Sequence, residues 1–307
     1  MKNGLKALVA LVAGCFALIV VSLTFSMLRF LWTDTQSVRQ PHIATVDING
    51  VILTATPLLK SLDEITRSPT AKAIVVRINS PGGLVAPSQE MYAALRRLDE
   101  KMPVIVSMSS LAASGGYYAA LAGRKLYANS GTLTGSIGVI MQFINTEKLF
   151  QWAKVEPHTF KSGKFKDIGN PNRPITPEDR ALLTELIQSI YGEFRATVSE
   201  RRKIADNQLD DIADGRIVTG TQAVKMKLVD ALSDYETVIR ETKTLVGLKE
   251  DAPVISYSPK RGLLRQILDD EKEPEGLFKR FESLLTQLSS PLVLPSGWQL
   301  LMLSPAR

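Results

Sequence analysis

The sequence has very few residues of the kinds that build metal sites and disulfide frameworks. It contains one cysteine, Cys15, and two histidines, His42 and His158, among 307 residues. A single cysteine cannot form an intrachain disulfide or a cysteine-based zinc site, and two histidines are too few for a histidine-rich cluster. We therefore expect no disulfide framework and no metal or organic cofactor.

Blocks of lysine and arginine interleaved with aromatic residues are also missing. Aromatic residues make up 7% of the chain, and the net charge of +6 is only mildly basic. Domains that bind nucleic acids carry concentrated basic patches, so nucleic acid is not an expected partner. With 45% hydrophobic residues, the chain is long enough for one large domain or two modest ones.

Near the start of the chain, Ala7 to Leu28 is a run that contains no charged residue. About 20 apolar residues cross a bilayer as a helix, whereas a cleaved signal peptide has a shorter core of about 7–15 residues and a small-residue cleavage site. Bulky residues up to Trp32 follow this run. We interpret residues 1–36 as an uncleaved single-pass anchor. Lys2 and Lys6 place the N-terminus in the cytoplasm and the main domain across the membrane.

Short apolar runs then alternate with amphipathic segments. We predict strands at His42–Ile48, Ala73–Ile78, Val104–Met108, Lys125–Ala128 and Ile137–Met141. We predict helices at Leu58–Thr66, Pro87–Glu100, Tyr117–Leu121, Asn145–Ala153, Pro177–Arg202 and Asp234–Val246. Strands alternating with helices indicate an α/β layered fold with a largely parallel sheet.

After Lys249 the composition changes, because prolines break the chain into short pieces. Gly276–Leu288 is amphipathic, and Pro291–Leu303 is apolar but too broken to span a membrane. We therefore divide the chain into residues 1–36, a main domain at 37–249 and a C-terminal tail at 250–307.

Ser114 follows an apolar strand and small residues, and it precedes Gly115 and a short helical segment. A serine between a strand and a helix has an exposed hydroxyl and lies beside the free N–H groups and the positive dipole end of the helix. A nucleophile that attacks a carbonyl needs these features. The alternative is that Ser114 only caps the helix.

A serine nucleophile needs a base to take its proton. A histidine could serve, either His158 or His42, although a lone histidine near a strand is more often structural. The other base used with serine is a neutral lysine, whose pKa must fall from about 10.4. Lys161-Ser-Gly-Lys-Phe-Lys166 offers three lysines, and spacing does not choose among them.

Acyl transfer also needs donors for the developing oxyanion. Ser80-Pro-Gly-Gly83 lies between a predicted strand and a predicted helix, upstream of Ser114. Gly82 and Gly83 could present backbone N–H groups there, as could Gly115 beside the nucleophile.

Five motifs follow one another along the chain: Asn79-Ser-Pro-Gly-Gly83, Ser110-Leu-Ala-Ala-Ser-Gly-Gly-Tyr-Tyr118, Thr134-Gly-Ser-Ile-Gly-Val139, Lys161-Ser-Gly-Lys-Phe-Lys-Asp167 and Asp214-Gly-Arg-Ile-Val-Thr-Gly220. Together they resemble the signal peptide peptidase A family, bacterial membrane-anchored Ser/Lys proteases of the Clp-protease/crotonase-like superfamily. The resemblance covers about residues 42–245 and is greatest to the short form with a single repeat.

The resemblance implies a role for each matching residue. Ser114 matches the nucleophile and Lys166 the general base. Ser136 matches the serine that orients the lysine, and Gly83 and Gly115 match the oxyanion-hole donors. The short form is an octamer whose sites combine residues of neighbouring subunits, which implies a homo-oligomer here. Two residues depart from the family pattern: Ser109 and Lys227 stand where the family often has glycine.

The resemblance thus implies an endopeptidase anchored in the bacterial cytoplasmic membrane, with its catalytic domain at 37–249 on the extracytoplasmic side. Its expected partners are the lipid bilayer and peptide substrates, namely remnant signal peptides or other unfolded apolar segments. Alternatives are a crotonase-type acyl-CoA enzyme and a catalytically silent membrane scaffold. The tail could dock on the protein's own peptide groove, on the membrane or on a neighbouring subunit.

Overall fold

The computed structural model describes residues 40–258, Thr24, and the backbone of Leu301–Met302. The strands are β1 (His42–Asn49), β2 (Ala71–Ser80), β3 (Gly83–Leu84), β4 (Val104–Ala113), β5 (Lys125–Ala128), β6 (Leu133–Gly135), β7 (Ile217–Thr219), β8 (Ala231–Leu232), β9 (Val254–Ser256) and β10 (Leu301–Met302). The helices are α1 (Thr56–Arg67), α2 (Val85–Asp99), α3 (Gly115–Ala120), α4 (Glu147–Ala153), α5 (Pro177–Arg202), α6 (Asp206–Leu209), α7 (Gly220–Lys225) and α8 (Tyr235–Leu245).

The predicted anchor at Ala7–Leu28, apart from Thr24, and the amphipathic stretch Gly276–Leu288 lie outside the described residues. Among the residues that are described, no helix combines the length and apolar character needed to cross a membrane.

An eight-stranded sheet organises the domain. Its main path runs β7-β6-β4-β2-β1-β9, with β5 also beside β4 and β8 beside β5. Every pair in this sheet is parallel except the antiparallel pair β6–β7. The first half of β4 pairs with β5, and its last residues, Leu111–Ala113, pair with β6. The end of β4 therefore leaves β5 and carries the next residue, Ser114, to the side of β6.

Both faces of the sheet are buried under helices. On β2, Ile74 and Val76 belong to the larger core, whereas Ala73 and Val75 belong to a smaller one. Side chains of α1, α2, α3 and α5 complete the larger core, and α8 covers the other face. Strands buried on both faces have nearly continuous apolar sequences, which explains why the sequence pattern located them. The expected α/β layered architecture is confirmed, and it fits a Clp-protease-like fold.

Both ends of helix α5 are defined by capping residues. Thr176 and Asp179 form a capping box, in which the Asp179 amide donates to Thr176 Oγ1 at 3.1 Å and the Thr176 amide donates to Asp179 Oδ2 at 3.1 Å. Pro177 fits the first turn because its missing N–H would have no partner there. At the other end, Lys203 adopts a left-handed conformation with φ 55°. The prediction of Pro177–Arg202 is confirmed at both ends.

The predicted strand at Ile137–Met141 is wrong. The strand in this region is β6, three residues that lie in what the sequence presents as a turn-rich connection. Gly135 and Ser136 have φ values of 80° and 51°, so the backbone leaves the extended region directly after β6. The apolar residues beyond this bend do not continue as a strand.

Candidate active site

Ser114 lies where β4 ends and α3 begins, in a strained backbone conformation with φ 51° and ψ −120°. Its amide donates to the Gly135 carbonyl at 2.9 Å, and its carbonyl accepts from the Tyr118 amide at 2.8 Å. The hydroxyl is buried, has no hydrogen-bond partner among the described residues, and does not cap α3. Ser114 thus occupies the N-cap position of α3, but its side chain makes no capping hydrogen bond. A buried serine hydroxyl left unpaired on a strained strand-to-helix turn has the properties of a nucleophile.

The Ser80-Pro-Gly-Gly83 turn is held in place by the hydroxyl of Ser80. This buried side chain donates to the Gly50 carbonyl at 2.7 Å and accepts from the Gly82 amide at 3.1 Å. Ile52 bonds to the carbonyl of Gly82 and to the amide of Leu84, each at 2.8 Å. Because successive backbone groups of a strand point in opposite directions, the Gly83 amide faces away from Ile52.

Gly83 and Gly115 come together beside Ser114. A Cβ atom added to Gly115 would lie 3.3 Å from the Gly83 nitrogen and would overlap the Ser88 hydroxyl. A Cβ atom added to Gly83 would overlap the Ile52 carbonyl oxygen. Glycine is required at both positions for this close approach. Two backbone amides beside a serine hydroxyl could stabilise an oxyanion, which is the role that we predict for them.

Ser136 is linked to Ser114 through the residue that precedes it. The Ser114 amide bonds to the carbonyl of Gly135, and the Ser136 amide donates to the Arg216 carbonyl at 2.7 Å. Ser136 is buried and shares with Ser114 a φ of 51°. The motif Asp214–Gly220 supplies Arg216 and contains β7, so it fixes the backbone of Ser136.

The three candidate lysines differ in their partners. Lys161 Nζ forms an ion pair with Asp167 Oδ1 at 2.6 Å, and Lys164 Nζ lies 3.6 Å from Glu178 Oε1. Lys166 is exposed and takes part in none of the ion pairs among residues 40–258. Lys161 and Lys164 therefore each face a carboxylate, whereas Lys166 faces none among these residues. Within this one chain, Lys166 makes no hydrogen bond to the Ser114 hydroxyl.

Arg173 joins the lysine loop, residues 161–167, to the start of α5. Its guanidinium binds both oxygens of Asp167, at 2.9 and 3.1 Å, and also binds Asp179. Hydrogen bonds from Arg173 hold the pKa of the Asp167 carboxyl well below its usual range and lower the pKa of Asp179 to about 2. Asp167 directly follows Lys166, so this cluster fixes the backbone of the proposed base.

Sequence reasoning missed Arg173, Ser80 and Ser88 as supporting residues. A serine before Pro-Gly-Gly is a recognisable turn signal that could have identified Ser80. Ser88 packs against Gly115 and donates to the Leu84 carbonyl at 2.8 Å, which depends on how two helices meet. Arg173 lies in a loop, and no local pattern pairs it with both carboxylates.

Neither histidine contacts the serine. His42 is buried, with Nδ1 2.9 Å from the Gln40 carbonyl oxygen and Nε2 3.1 Å from the Tyr257 hydroxyl. Both ring nitrogens are therefore occupied in a structural role. His158 is exposed outside the helices and strands. Within residues 40–258, no three His, Cys, Asp or Glu side chains are grouped as a metal site would require.

Comparisons with known proteins place this site in a family. The model of Peptidase family S49 matches residues 96–249. A Synechocystis protein named "Putative protease slr0021" is 40% identical over 85% of this chain and 89% of its own length. An Enterococcus faecium protein named "Putative signal peptide peptidase SppA" is 35% identical over 65% of this chain and 58% of its own. "Serine protease SPPA, chloroplastic" of Arabidopsis thaliana is 30% identical over 80% of this chain and 40% of its own.

The matched region of the family model contains Ser114, Ser136 and Lys166. The resemblance on which the site was predicted is thus confirmed at the level of the family, while the roles of the individual residues stay predictions. This chain belongs to peptidase family S49.

Proposed function

We propose that this protein is a membrane-anchored serine endopeptidase that works through a Ser114–Lys166 dyad. One observation carries the proposal: a buried, unpartnered Ser114 hydroxyl on a strained turn beside the amides of Gly83 and Gly115. Membership of a peptidase family supports peptide hydrolysis. The absence of any histidine at the serine, among the described residues, favours lysine as the base.

In the first half of the reaction, the neutral amine of Lys166 takes the proton of the Ser114 hydroxyl. The Ser114 oxygen attacks the scissile carbonyl carbon, and the carbonyl oxygen becomes an oxyanion that accepts from the Gly83 and Gly115 amides. The intermediate collapses as the C–N bond breaks. The leaving amine takes the proton from Lys166, and the N-terminal part of the substrate stays on Ser114 as an ester.

In the second half, a water molecule attacks the ester while Lys166 takes one of its protons. The C–O bond to Ser114 then breaks, and Ser114 recovers its proton from Lys166. The acyl group leaves as a carboxylic acid, which then releases its remaining proton to water. Ser136 is proposed to orient Lys166, as the family resemblance implies.

Substrates are proposed to be remnant signal peptides and other unfolded apolar segments. The Enterococcus faecium relative named "Putative signal peptide peptidase SppA" supports this class. Ala112, Ala113 and Gly115 surround the nucleophile with small side chains, which lets an extended peptide backbone come close. The uncharged run at Ala7–Leu28 supports an anchor in the bacterial cytoplasmic membrane, with the catalytic domain outside, where signal peptides are released.

The active form is proposed to be a homo-oligomer. Lys166 does not bond to Ser114 within one chain, and the segment that precedes Lys166 exposes many large apolar side chains. Trp152 is 82% exposed and Phe160 is 97% exposed, and α4 has no buried residue. Exposed apolar groups at this density are typical of an interaction site. A second subunit that covers them would also cover the loop that carries Lys166.

The test compares full-length wild type with S114A, K166A and K164A on an unfolded apolar peptide. We expect S114A and K166A to lose at least about a thousandfold in kcat, because each removes a group that acts as a unit with the other. K164A removes a solvated lysine of the same loop and should retain activity.

Each variant must first be shown to assemble as wild type does. Activity that survives in K166A but is lost in H158A would overturn the lysine base. If assembled wild type neither turns over nor reacts with a serine-directed fluorophosphonate, the protein is a scaffold and the proposal fails.

A further inference from the structure

A cavity of about 400 Å³ lies at the point where β4 and β5 separate. Ser107 and Ser109 of β4, Asn129 directly after β5 and Tyr235 at the start of α8 contribute to its wall. β4 pairs with β5 in its first half and with β6 at its end, so the two strands diverge here. In α/β sheets, crevices at the carboxyl ends of the strands are common ligand sites. The volume lies within the range of about 300–1,000 Å³ that is typical of sites for small molecules.

Arg77 of β2 presents a guanidinium group to this cavity, on the face of the sheet that α8 covers. The guanidinium carbon lies 4.4 Å from the centroid of the Tyr235 ring. Among residues 40–258, Arg77 takes part in no ion pair and no side-chain hydrogen bond. Asp47, opposite Arg77 on β1, instead accepts from the Ser258 hydroxyl at 2.7 Å. A guanidinium stacked on an aromatic ring keeps its N–H groups free for a planar carboxylate.

Ser107 adds a second polar group to the inner wall of the cavity. It lies opposite Arg77 in the pairing of β2 with β4, and it is only 4% exposed. Its hydroxyl has no hydrogen-bond partner in the part of the chain from residue 40 to 258. A buried hydroxyl without a partner costs stability, so its presence needs a reason. Arg77 and Ser107 together form a surface that can bind a carboxylate.

The outer side of the cavity is acidic. Asp234 and Glu236 are both exposed there, at the start of α8. Asp234 caps the helix and accepts from the Thr237 amide at 2.9 Å, whereas Glu236 takes part in no ion pair within residues 40–258. Two carboxylates and one guanidinium disfavour phosphate and other dianions. A ligand that carries one carboxylate and one ammonium group complements both sides of the cavity.

We infer that this cavity binds a small zwitterion of the amino-acid and short-peptide class. Its carboxylate binds to Arg77 and Ser107, and its ammonium group to Asp234 and Glu236. The site goes beyond the proposed function, because α3, which follows the proposed nucleophile, packs in the larger core on the other face of the sheet. Peptide hydrolysis releases molecules of this class, so a product can occupy the cavity without contacting the groups assigned to catalysis.

Binding is measured by titration calorimetry with the dipeptide Ala-Ala on the full-length protein. The parent carries Ser114→Ala, so that no peptide is cleaved and binding does not depend on the proposed activity. We expect saturable binding at one site per chain. Arg77→Met should weaken it at least about tenfold, because the carboxylate loses its charged donor. Arg97→Met removes the same charge from an exposed position in α2, and this control should bind Ala-Ala as the parent does.

Two modified dipeptides test the two ends of the ligand separately. N-acetyl-Ala-Ala lacks the ammonium group and Ala-Ala amide lacks the carboxylate, so each should bind at least about fivefold more weakly than Ala-Ala. Glu236→Gln should weaken the binding of Ala-Ala several-fold and leave that of N-acetyl-Ala-Ala unchanged. Because Glu236 is exposed, this substitution tests the site even if Arg77→Met does not fold.

Three results would overturn the inference: no saturable binding by the parent, equal affinities in Arg77→Met and Arg97→Met, or N-acetyl-Ala-Ala binding as tightly as Ala-Ala. Tighter binding of inorganic phosphate than of Ala-Ala would also contradict it. A wild type that hydrolyses no peptide would refute the proposed function and leave these measurements unchanged. Failure of the proposed function and failure of this site are therefore distinguishable.

Discussion

Two serines of the site, Ser114 and Ser136, adopt the left-handed conformation that usually favours glycine. Each has φ 51°, and each is fixed by its own amide, which donates to Gly135 and Arg216 respectively. Strain of this kind persists only where the surrounding structure over-determines the backbone, and it is concentrated at functional sites. The Ser114 hydroxyl makes no capping hydrogen bond to α3, and its oxygen stays unpaired among the described residues.

Gly83 illustrates a residue whose side chain is excluded by backbone atoms. Because an added Cβ would overlap the Ile52 carbonyl oxygen, we expect Gly83→Ala to lower the free energy of unfolding by about 2–3 kcal/mol. It should also lower kcat, since the amide of residue 83 must move. Urea unfolding and steady-state kinetics measure the two effects.

The control for this substitution is Gly192→Ala in α5. An added Cβ there has nothing within 4 Å, and residue 192 is exposed. Alanine is the better helix former, so this variant should gain up to about 1 kcal/mol and keep its activity. Equal effects of the two substitutions would show that the crowding at Gly83 is not the cause.

Lys227 shows the opposite mismatch, a side chain where the backbone favours glycine. Its φ is 62° and its side chain is exposed. The family that the sequence motifs resemble usually has glycine at this position. A non-glycine residue in this conformation costs about 1–2 kcal/mol, of which glycine's greater unfolded entropy takes back about 0.5–1. We therefore expect Lys227→Gly to raise the free energy of unfolding by about 0.5–1 kcal/mol. A lower urea midpoint than wild type would contradict this expectation.

At the scale of whole elements, the sequence predicted what long apolar periodicity encodes. β1, β2, β4, β5 and α5 were located because their residues are buried on defined faces. β6 was missed because it is three residues long and flanked by turn residues, and its pairing with β4 and β7 is non-local. The positions of glycine and serine indicated the site motifs. The pairing of β4 first with β5 and then with β6 cannot be predicted from local sequence.

The lysine loop shows why the base could not be chosen from spacing. Lys161, Lys164 and Lys166 lie within six residues, and only the folded loop shows that two of them face carboxylates. Those carboxylates come from Asp167 in the loop and Glu178 in α5. No local pattern records these contacts, and the family resemblance alone pointed to Lys166 as the base.

The junction between this loop and α5 should be sensitive to acid. Folding lowers the pKa values of Asp167 and Asp179 from about 3.9, so their pairing with Arg173 adds stability above pH 4 and loses it as pH falls through about 2, the value for Asp179. We expect Arg173→Met to lower the free energy of unfolding by about 2–3 kcal/mol at pH 7, because it removes the guanidinium from both carboxylates and leaves Asp167 with Lys161 as its ion-pair partner.

The difference between Arg173→Met and wild type in urea unfolding should be the same at pH 7 and pH 5 and clearly smaller at pH 3. Arg180→Met, an exposed residue of the first turn of α5, is the control and should differ little from wild type at each pH. A deficit in Arg173→Met that stays constant with pH would show that the charge pairing is not its source.

For the whole molecule, the single chain brings together the nucleophile and the oxyanion amides but not the base. Ser114 is buried beside Gly83 and Gly115, whereas Lys166 is exposed on a segment whose apolar side chains face solvent. A second copy of the chain that covers this segment would have two effects. It would bury the apolar surface, and it would bring a lysine to a serine of its neighbour.

Sharing of the site between subunits is tested by mixing two inactive variants. If Ser114 of one chain works with Lys166 of another, an assembly of Ser114→Ala and Lys166→Ala chains in equal amounts contains sites with both residues intact. Random arrangement around a ring gives such sites a frequency of about one in four, so the mixture should recover about a quarter of wild-type kcat.

A site built within one chain cannot recover in this way, because every chain of the mixture lacks one of the two residues. The two variants must be co-refolded or co-expressed, so that their chains assemble together. Light scattering should show that the mixed and unmixed samples assemble equally. A mixture as inactive as its components, at wild-type assembly size, would place the dyad within one subunit. The loop around Lys166 would then have to move onto Ser114 of its own chain.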